Sequence, residues 1–291
     1  MKFSTLTAAA LAAALLLAGC SGTASSSQGS SAPQSTSQAS SQVSQAASGE
    51  LTVVKVGASP SPHAEMLEQV KPLLAEQGID LQIVEFDDYV MPNTALEAGD
   101  LDANFFQHQP YLDDFNEKNG THIVSIADVH FEALGVYSDK VTSLEELSDG
   151  AVVGIPSDNT NGARALQLLA AQGLIELDPE AGLSATELDV TKNPKNLKFE
   201  ALEAAQLPAS LPDLDIAVIN GNYALGAGIT DKLLACEDTS SEAAQTYPNV
   251  LCVREGDEER PELVALKEAL LSDTVKDFIA EAYPGVVIPL F

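Results

Sequence analysis

The sequence has 291 residues, with 14 lysines and arginines against 43 aspartates and glutamates, and a formal net charge of −29 at pH 7. This length suits one large domain or two ordinary domains, and we expect two. Such an acidic surface repels phosphates, so the composition excludes the basic stripe of a nucleic-acid-binding protein and favours a soluble monomer that resists association.

Residues 1–19 have the layout of a secretory signal peptide. Lys2 precedes an apolar run at 11–17, and small residues then lead to Cys20. The run is too short to span a membrane. Because Leu17-Ala18-Gly19-Cys20 resembles a bacterial lipobox, we expect cleavage before Cys20 and lipid on its sulfur, which would anchor the protein to a bilayer. The alternative is a chance cysteine after a signal-like run.

Residues 20–50 are predicted to be this lipidated cysteine and a tether. Between 21 and 49 the chain is almost wholly Ser, Gln, Ala, Gly and Thr, and it contains no charged residue. A segment so poor in apolar side chains cannot offset the entropy lost on folding, so we expect disorder. Such a tether would keep a folded domain close to a membrane partner.

The globular part begins near Leu51 with a strand, a turn and a helix. Residues 51–57 (LTVVKVG) are typical of a buried strand, and the apolar residues between 66 and 74 have helical spacing. This order is typical of an α/β fold. The turn contains His63, which could reach a ligand at the helix N-terminus or only help to cap the helix.

An aromatic and amide-rich stretch at 86–111 follows. Its pattern predicts a strand at 81–86, a short helix at 92–98 and a second strand at 102–106. In an open α/β sheet, ligands bind beyond the carboxyl ends of the strands. The stretch therefore predicts one wall of a ligand cleft.

Four side chains near these strand ends are candidates for the wall: Tyr89, Phe106, His108 and Tyr111. The alternative for Phe106 and Tyr111 is ordinary core packing at a helix entry. We expect His108 to act as a packing and hydrogen-bonding ring rather than as a general base.

The chain is then predicted to pass into a second domain. A helix at 112–117 and strands at 122–126 and 131–137 precede this crossing, which we place near Ser138. Beyond it, Ser143-Leu144-Glu145-Glu146 resembles a capping box that opens a short helix.

Arg164 is the candidate for carboxylate recognition. A strand at 151–156 leads through a polar loop, which contains Asn161, to an apolar helix at 163–171. In the first turn of that helix a positive charge is unfavourable against the helix dipole. A guanidinium that faces a cleft can instead bind a carboxylate through two parallel hydrogen bonds. The alternative is a surface ion pair.

Asn220 and Asn222 follow another predicted strand, at 216–219 (IAVI), and an earlier one is predicted at 197–202. Side-chain amides at a strand end can accept from an ammonium group and donate to a carboxylate. The alternative is that the two asparagines form a turn and cap the next helix, with Gly221 at positive φ.

Cys236 and Cys252 are a candidate disulfide, because two cysteines in an exported protein commonly pair. A buried free thiol at Cys252, which lies in a strand-like run, is the alternative. The chain ends in two amphipathic helices, at 261–271 and 273–282, which we expect to pack on the first domain.

The runs FDDYVMPNTAL at 86–96 and GDLDANFFQHQPYLDDFN at 99–116 closely resemble the methionine-binding lipoprotein family (MetQ/NlpA type) of bacterial ABC importers. The resemblance continues through NPKNLKF and AVIN and extends from Val54 to the C-terminus. It implies a two-lobed α/β fold like that of the type 2 periplasmic binding proteins, with the ligand in the interdomain cleft. Lobe 1 would comprise residues 51–138 and 236–291, and lobe 2 residues 139–235.

The resemblance also implies a ligand and a partner. The matching arginine in that family binds the carboxylate of an amino acid, and aromatic rings suit the thioether of methionine. The ligand would be L-methionine, D-methionine, a methionine dipeptide or another apolar amino acid, delivered to a permease and its ATPase. No cofactor, metal or catalytic residue is expected. The expected ligand-binding residues are Tyr89, Phe106, His108, Tyr111, Asn161, Arg164, Asn220 and Asn222.

Three other functions are alternatives. An enzyme is disfavoured because the sequence has no G-x-S-x-G elbow, phosphate loop, H-E-x-x-H or dinucleotide fingerprint. A zinc-binding lipoprotein would have to gather His63, His108, His122 and His130 with acidic residues, without any H-x-H motif. A surface adhesin or other interaction protein leaves no distinctive pattern.

Overall fold

A computed structural model describes residues 51–239 and 243–291. The predicted signal peptide, Cys20 and the tether lie outside these residues. Contacts join the described residues into one compact unit. Within the described ranges, no helix combines the length and the apolar character that crossing a membrane requires.

Strands and helices alternate along most of the chain. The strands are β1 (Thr52–Ala58), β2 (Ile79–Glu85), β3 (Ala103–His108), β4 (Ile123–Glu132), β5 (Gly135–Tyr137), β6 (Val152–Pro156), β7 (Glu176–Leu177), β8 (Val190–Lys192), β9 (Lys198–Leu202), β10 (Ile216–Ile219), β11 (Leu233–Cys236), β12 (Asn249–Arg254) and β13 (Val287–Pro289). The helices are α1 (Glu65–Glu76), α2 (Met91–Ala98), α3 (Gln109–Asn119), α4 (Asn159–Ala171), α5 (Leu207–Ser210), α6 (Gly221–Gly226), α7 (Ala243–Thr246), α8 (Pro261–Leu270) and α9 (Asp273–Ala282).

The first sheet has six strands in the order β13-β4-β12-β3-β1-β2. Strand β1 is parallel to β2 and β3, whereas β12 is antiparallel to β3 and β4. Helices α1, α8 and α9 form one core with this sheet. Met66, Leu67, Val70 and Leu74 of α1 are fully buried in that core, so the helical spacing seen in the sequence corresponds to the buried face.

The second sheet has five strands in the order β11-β5-β10-β6-β9. Its strand β10 is apolar throughout because both of its faces are covered. Ile216 and Val218 pack in the core that contains α4, while Ala217 and Ile219 pack in the core that contains α5 and α6. The two sheets confirm the predicted two-lobed α/β architecture.

Two crossings join the sheets. The first, Ala133 and Leu134, lies between β4 of the first sheet and β5 of the second. The predicted boundary near Ser138 is therefore wrong by a few residues, because β5 pairs with β10 and β11. The second crossing follows β11 and begins at Glu237, so Cys236 also belongs to the second sheet.

Local predictions also differ from the structure elsewhere. The predicted strand at 131–137 is divided between the end of β4 and β5, and the helix predicted at 112–117 begins at Gln109. Helix α4 begins at Asn159 rather than 163, because Asp158 caps it by accepting from the Asn161 N–H at 2.9 Å. The capping box at Ser143 does not form, and Glu146 instead accepts from the Thr142 N–H. The short hairpin of β7 and β8 has too little periodicity to be predicted.

The predicted disulfide between Cys236 and Cys252 is wrong, since both are free thiols. They lie in different sheets, in β11 and β12. Cys236 is exposed, whereas Cys252 is fully buried and accepts from Gln107 Nε2 at 3.5 Å. Burial strongly raises the pKa of the Cys252 thiol, so this thiol is unreactive in the folded protein.

Thiol chemistry tests this assignment in a chain that spans Leu51–Phe291. A thiol-reactive dye should label one cysteine, Cys236, in the native protein and two in denaturant. Added reductant should leave the melting temperature unchanged, because no covalent loop is present to open. A clear fall in melting temperature on reduction would contradict the two free thiols.

Candidate functional site

A cavity lies between the two sheets, with about 340 Å³ of empty volume when the part open to solvent is counted. The structure brings all eight predicted site residues to this one cavity and adds four that the sequence did not indicate. Its lining is Tyr89, Phe106, Gln107, His108, Tyr111, Glu132, Asn161, Arg164, Asn220, Gly221, Asn222 and Asn249.

The aromatic wall is built from Tyr89, Phe106 and Tyr111. The Tyr89 ring centroid lies 5.9 Å from that of Phe106 and 5.6 Å from that of Tyr111. The Tyr111 hydroxyl donates to the Tyr89 carbonyl at 3.1 Å, which fixes the loop. Both alternatives for Phe106 and Tyr111 are therefore partly right, because these rings are buried in a small apolar cluster and also line the cavity.

A buried amide network holds this wall in place. Gln107 and Asn93 exchange two hydrogen bonds of 2.8 Å, and Asn104 donates to Asn93 Oδ1 at 2.8 Å. All three side chains are at most 3% exposed. The network connects α2 to β3. Because every amide in it has a hydrogen-bond partner, its burial costs little free energy. Gln107 thus reaches the cavity as a supporting residue.

His108 is a neutral hydrogen-bonding ring. Its Nδ1 accepts from the Tyr111 N–H at 3.1 Å, which caps α3, so the proton lies on Nε2 and faces Asn161 Oδ1 at 3.0 Å. Burial, helped by the nearby Arg164 charge, lowers the pKa of His108 to about 3. The ring is consequently uncharged at neutral pH, as expected for a packing role.

The opposite wall comes from the second sheet. Asn161 Nδ2 donates to Asp158, and Asn161 Oδ1 accepts from Asn220 Nδ2 at 2.7 Å. Asn220 is the N-cap residue of α6, yet its side chain makes no capping bond. Its Oδ1 is buried and, among the described residues, has no hydrogen-bond partner. An acceptor left in this state is available to a ligand.

Direct hydrogen bonds close the cleft. The Tyr89 hydroxyl donates to Asn222 Oδ1 at 2.5 Å, and His108 meets Asn161 as described. The Tyr223 hydroxyl also donates to the Asp87 carbonyl at 3.2 Å. The partners on the first sheet lie in the loop after β2 or at the end of β3, and those on the second sheet lie in α4 or α6. This is the closed arrangement of a hinged two-lobed protein.

Arg164 lies in the second turn of α4, not in the first, and is 3% exposed. Its guanidinium forms two hydrogen bonds to the carboxylate of Glu237. Nε donates to Oε1 at 2.8 Å, and Nη2 donates to Oε2 at 2.6 Å. Nη2 also donates to the Glu132 carbonyl at 2.9 Å. The predicted dipole argument therefore does not apply. Among the described residues, only Nη1 of this guanidinium donates to no protein atom.

Glu132 is the main residue that the sequence prediction missed. Its carboxylate is 6% exposed and accepts from His130 Nε2 at 2.7 Å. Burial raises the pKa of Glu132. Within the described part of the chain, no lysine or arginine side chain is paired with it. A Cβ on Gly221 would lie 3.0 Å from Glu132 Oε2, so Gly221 serves close approach rather than positive φ. A glutamate in the apolar run VHFEALGVY was the available signal.

Two buried histidines, His63 and His130, contact the carboxylate of Glu132. His63 Nε2 lies 3.0 Å from Asn249 Oδ1 and 3.4 Å from Glu132 Oε1. Burial lowers the pKa of His63 to about 4 and that of His130 to about 3, so both rings are neutral at pH 7. They therefore cannot balance the carboxylate charge. Asn249, also missed by the sequence prediction, belongs to this group and lines the cavity.

His63, His130 and Glu132 are the residues to consider for the hypothesis of a zinc site. Ligand atoms of His63, His130 and Glu132 lie within 4.8 Å of one another. His108 and His122 are not in the group, so the structure gathers two of the four histidines. The Nε2 atoms of both members are already hydrogen-bonded, to Asn249 and Glu132.

The chain is similar to known proteins. The family model for the NlpA lipoprotein matches residues 54–291. The membrane lipoprotein TpN32 of Treponema pallidum is 41% identical over 234 residues, which cover 80% of this chain and 86% of that protein. The D-methionine-binding lipoprotein MetQ of Salmonella typhimurium is 40% identical over 237 residues, with the same coverage of 80% and 86%.

A solved structure is similar over the same region. It is that of a nutrient-binding protein from Burkholderia cenocepacia bound to methionine. The TM-score is 0.77 at 43% sequence identity, over 82% of this chain and all of that one. At this identity the similarity extends beyond the fold to the family.

The buried histidines predict a pH-dependent stability. Their pKa values are lowered on folding, so between about pH 6.5 and pH 4 the unfolded chain binds protons that the folded protein does not. The free energy of unfolding should therefore fall as the pH falls through this window. Glu132 and Asp158, whose pKa values burial raises, act in the opposite direction.

The variant His108→Gln isolates the contribution of His108 to the pH dependence of the free energy of unfolding. The variant should lose up to about 1.4 kcal/mol per pH unit from the slope of unfolding free energy against pH. Urea denaturation of both proteins at several pH values between 4.5 and 6.5 measures this slope. Identical slopes would mean that His108 is not held neutral by burial.

Proposed function

Because the chain belongs to the NlpA lipoprotein family, we propose that it is the solute-binding lipoprotein of a bacterial ABC importer, and that it captures methionine and delivers it to a membrane permease and its ATPase. One observation carries the proposal. The closed cleft places a guanidinium nitrogen and an amide oxygen, neither of which has a hydrogen-bond partner among the described residues, and a buried carboxylate beside three aromatic rings. The named relatives support methionine and not the zinc alternative.

The polar groups suit the head group of an amino acid. Arg164 Nη1 can donate two N–H groups to a carboxylate. The Glu132 carboxylate and Asn220 Oδ1 are acceptors for an ammonium group. Because Glu237 already balances the charge of Arg164, the charge of Glu132 remains uncompensated. A zwitterion supplies the missing cation and places its own anion against Nη1.

The aromatic rings suit the side chain of methionine. Tyr89, Phe106 and Tyr111 form a small cluster at the cavity. Contacts between a thioether sulfur and aromatic rings add about 0.3–1.5 kcal/mol beyond the burial of apolar area. Another apolar amino acid would lose this increment. The relatives include proteins named for D-methionine and for methionine, so both enantiomers belong in any ligand panel.

Ligand binding can change the relative position of the two lobes, and a permease can distinguish the closed form from the open form. A ligand held by Arg164 of α4 and by Glu132 at the end of β4 touches elements of both sheets. It therefore favours the closed form, in which the cross-cleft hydrogen bonds are made. The role is non-catalytic. Lipidation at Cys20 would hold the monomer on the extracytoplasmic face of the membrane.

The first test is a ligand-induced thermal shift. L-Methionine at about 100 times its Kd should stabilise the folded state by about 2.7 kcal/mol and raise the melting temperature. Arg164→Ala should abolish the rise, because the carboxylate loses its cation. The shift is taken against the ligand-free melting temperature of each variant, since Glu237 also loses its partner.

Arg260→Ala is the matched control. Arg260 pairs with Asp102 and Glu262 outside the cleft. Its removal should leave the methionine shift intact. A panel of the common amino acids and methionine dipeptides in the same assay identifies the preferred ligand, and the absence of any shift would contradict the proposed function.

The second test concerns Glu132. In Glu132→Gln the Kd for L-methionine should rise about 10- to 100-fold, as expected for the loss of a charged hydrogen-bond partner. For 4-(methylthio)butanoate, which lacks the amino group, the Kd should stay equal or fall, because an anion no longer meets a buried carboxylate. Titration calorimetry measures both ligands. Equal losses for both would indicate a structural role for Glu132 only.

A further inference from the structure

We propose that Glu237 is a positioning residue of the binding site, which directs Arg164 toward the ligand and keeps it apart from Glu132. The inference rests on the proposed function and extends it to a residue that does not line the cavity. Glu237 lies at the start of the second crossing, immediately after β11. The sequence contains no motif around it.

The first step is how completely Glu237 fixes one edge of the guanidinium. Its two oxygens accept from Nε at 2.8 Å and from Nη2 at 2.6 Å, which is the parallel two-bond geometry of a strong arginine–carboxylate pair. The side chains are 3% and 9% exposed. Water therefore screens the pair little, and its orientation is well defined.

The second step is that Glu237 is itself fixed by the backbone. Its Oε2 also accepts from the Leu134 N–H at 2.8 Å, and its own N–H donates to the Leu134 carbonyl at 3.0 Å. Leu134 belongs to the first crossing. Glu237 thus joins the two crossings, and the position of its carboxylate follows from the hinge rather than from the ligand.

The third step is the remaining freedom of Arg164. The Tyr247 ring covers the guanidinium at 4.2 Å from its centroid, and the Glu132 carbonyl takes a further N–H. An arginine has five N–H donors. With Nε and Nη2 engaged, only the two on Nη1 remain, so the three contacts together decide which atoms a ligand can reach.

The fourth step explains why the site needs this arrangement. Arg164 and Glu132 are buried side by side with opposite charges, and Arg164 already touches the Glu132 backbone. Without Glu237, the guanidinium is free to turn toward the carboxylate of Glu132, whose backbone carbonyl it already contacts. The two would pair, and the ligand would lose the partner of its carboxylate and the partner of its ammonium group at once.

A purely electrostatic role for Glu237 predicts the opposite result. Removing a negative charge beside Arg164 would strengthen the attraction for an anionic group and would tighten binding. The positioning role predicts weaker binding, because the guanidinium turns away. The sign of the change in affinity therefore separates the two roles.

The test is a double-mutant cycle on the mature chain in detergent, with L-methionine as the probe and calorimetry as the readout. Glu237→Gln should raise the Kd at least tenfold. Glu132→Gln should then cause no further loss in the Glu237→Gln background, although it causes a large loss in the wild type. Coupling between two residues through Arg164 is non-additive, whereas independent structural damage is additive.

Glu262→Gln is the matched control, because it removes the same charge from an arginine pair outside the cleft. Its Kd should equal that of the wild type. If Glu237→Gln does not fold, Glu237→Asp replaces it, since this side chain keeps the charge but is too short to hold both nitrogens. The same tenfold loss and the same coupling are expected.

Each remaining outcome overturns the proposal. An unchanged or lower Kd in Glu237→Gln would show that Glu237 does not position Arg164. Additive losses from Glu237→Gln and Glu132→Gln would show general damage to the fold. A wild-type chain that does not bind L-methionine would overturn the proposed function, and this role with it, before any variant is considered.

Discussion

The buried ion pair between Arg164 and Glu237 is the interaction on which the rest of the site depends. Glu237 is held by both crossings between the sheets, and Arg164 projects from α4 of the second sheet. The hinge and the binding site thus share one pair of side chains. A pair removed from water is sensitive to geometry, because the desolvation of each charge is offset only when its partner is correctly placed. The closed cleft supplies this placement.

The charges of the cleft explain why a zwitterion suits it. Arg164 and Glu237 neutralise each other, while Glu132 is surrounded by neutral histidines and by the Asn222 and Gly221 backbone. Burial raises the pKa of Glu132, because an ionised carboxylate is costly inside the protein unless a cation is placed beside it. An ammonium group removes this cost, and a carboxylate can use the free Nη1. Under the proposed function, recognition of the head group and closure of the lobes would have the same physical origin.

The aromatic wall depends on a different principle. Short-range structure places the three rings. Tyr89 lies in the loop before α2, Phe106 lies in β3, and Tyr111 lies in the first turn of α3. The fully satisfied amide network of Asn93, Asn104 and Gln107 makes this wall rigid. A rigid wall that keeps its shape loses little entropy when a flexible thioether packs against it.

The sequence alone determined the fold class, most strands and helices, and the eight residues that meet at the cavity. Local periodicity predicts the strands and helices, and the rule that strand ends gather at one edge of a sheet places Tyr89, Phe106 and His108 near a cleft. The two-lobed arrangement and the complete set of eight residues are what the resemblance to the MetQ/NlpA family implies. Only the tertiary structure decided which distant segments pair. In the structure, β5 belongs to the second sheet, Cys236 and Cys252 are free thiols in different sheets, and Glu132 and Glu237 contact Arg164. No local pattern encodes such contacts, because each depends on how the two crossings place residues that lie 32 and 73 positions away from Arg164 along the chain.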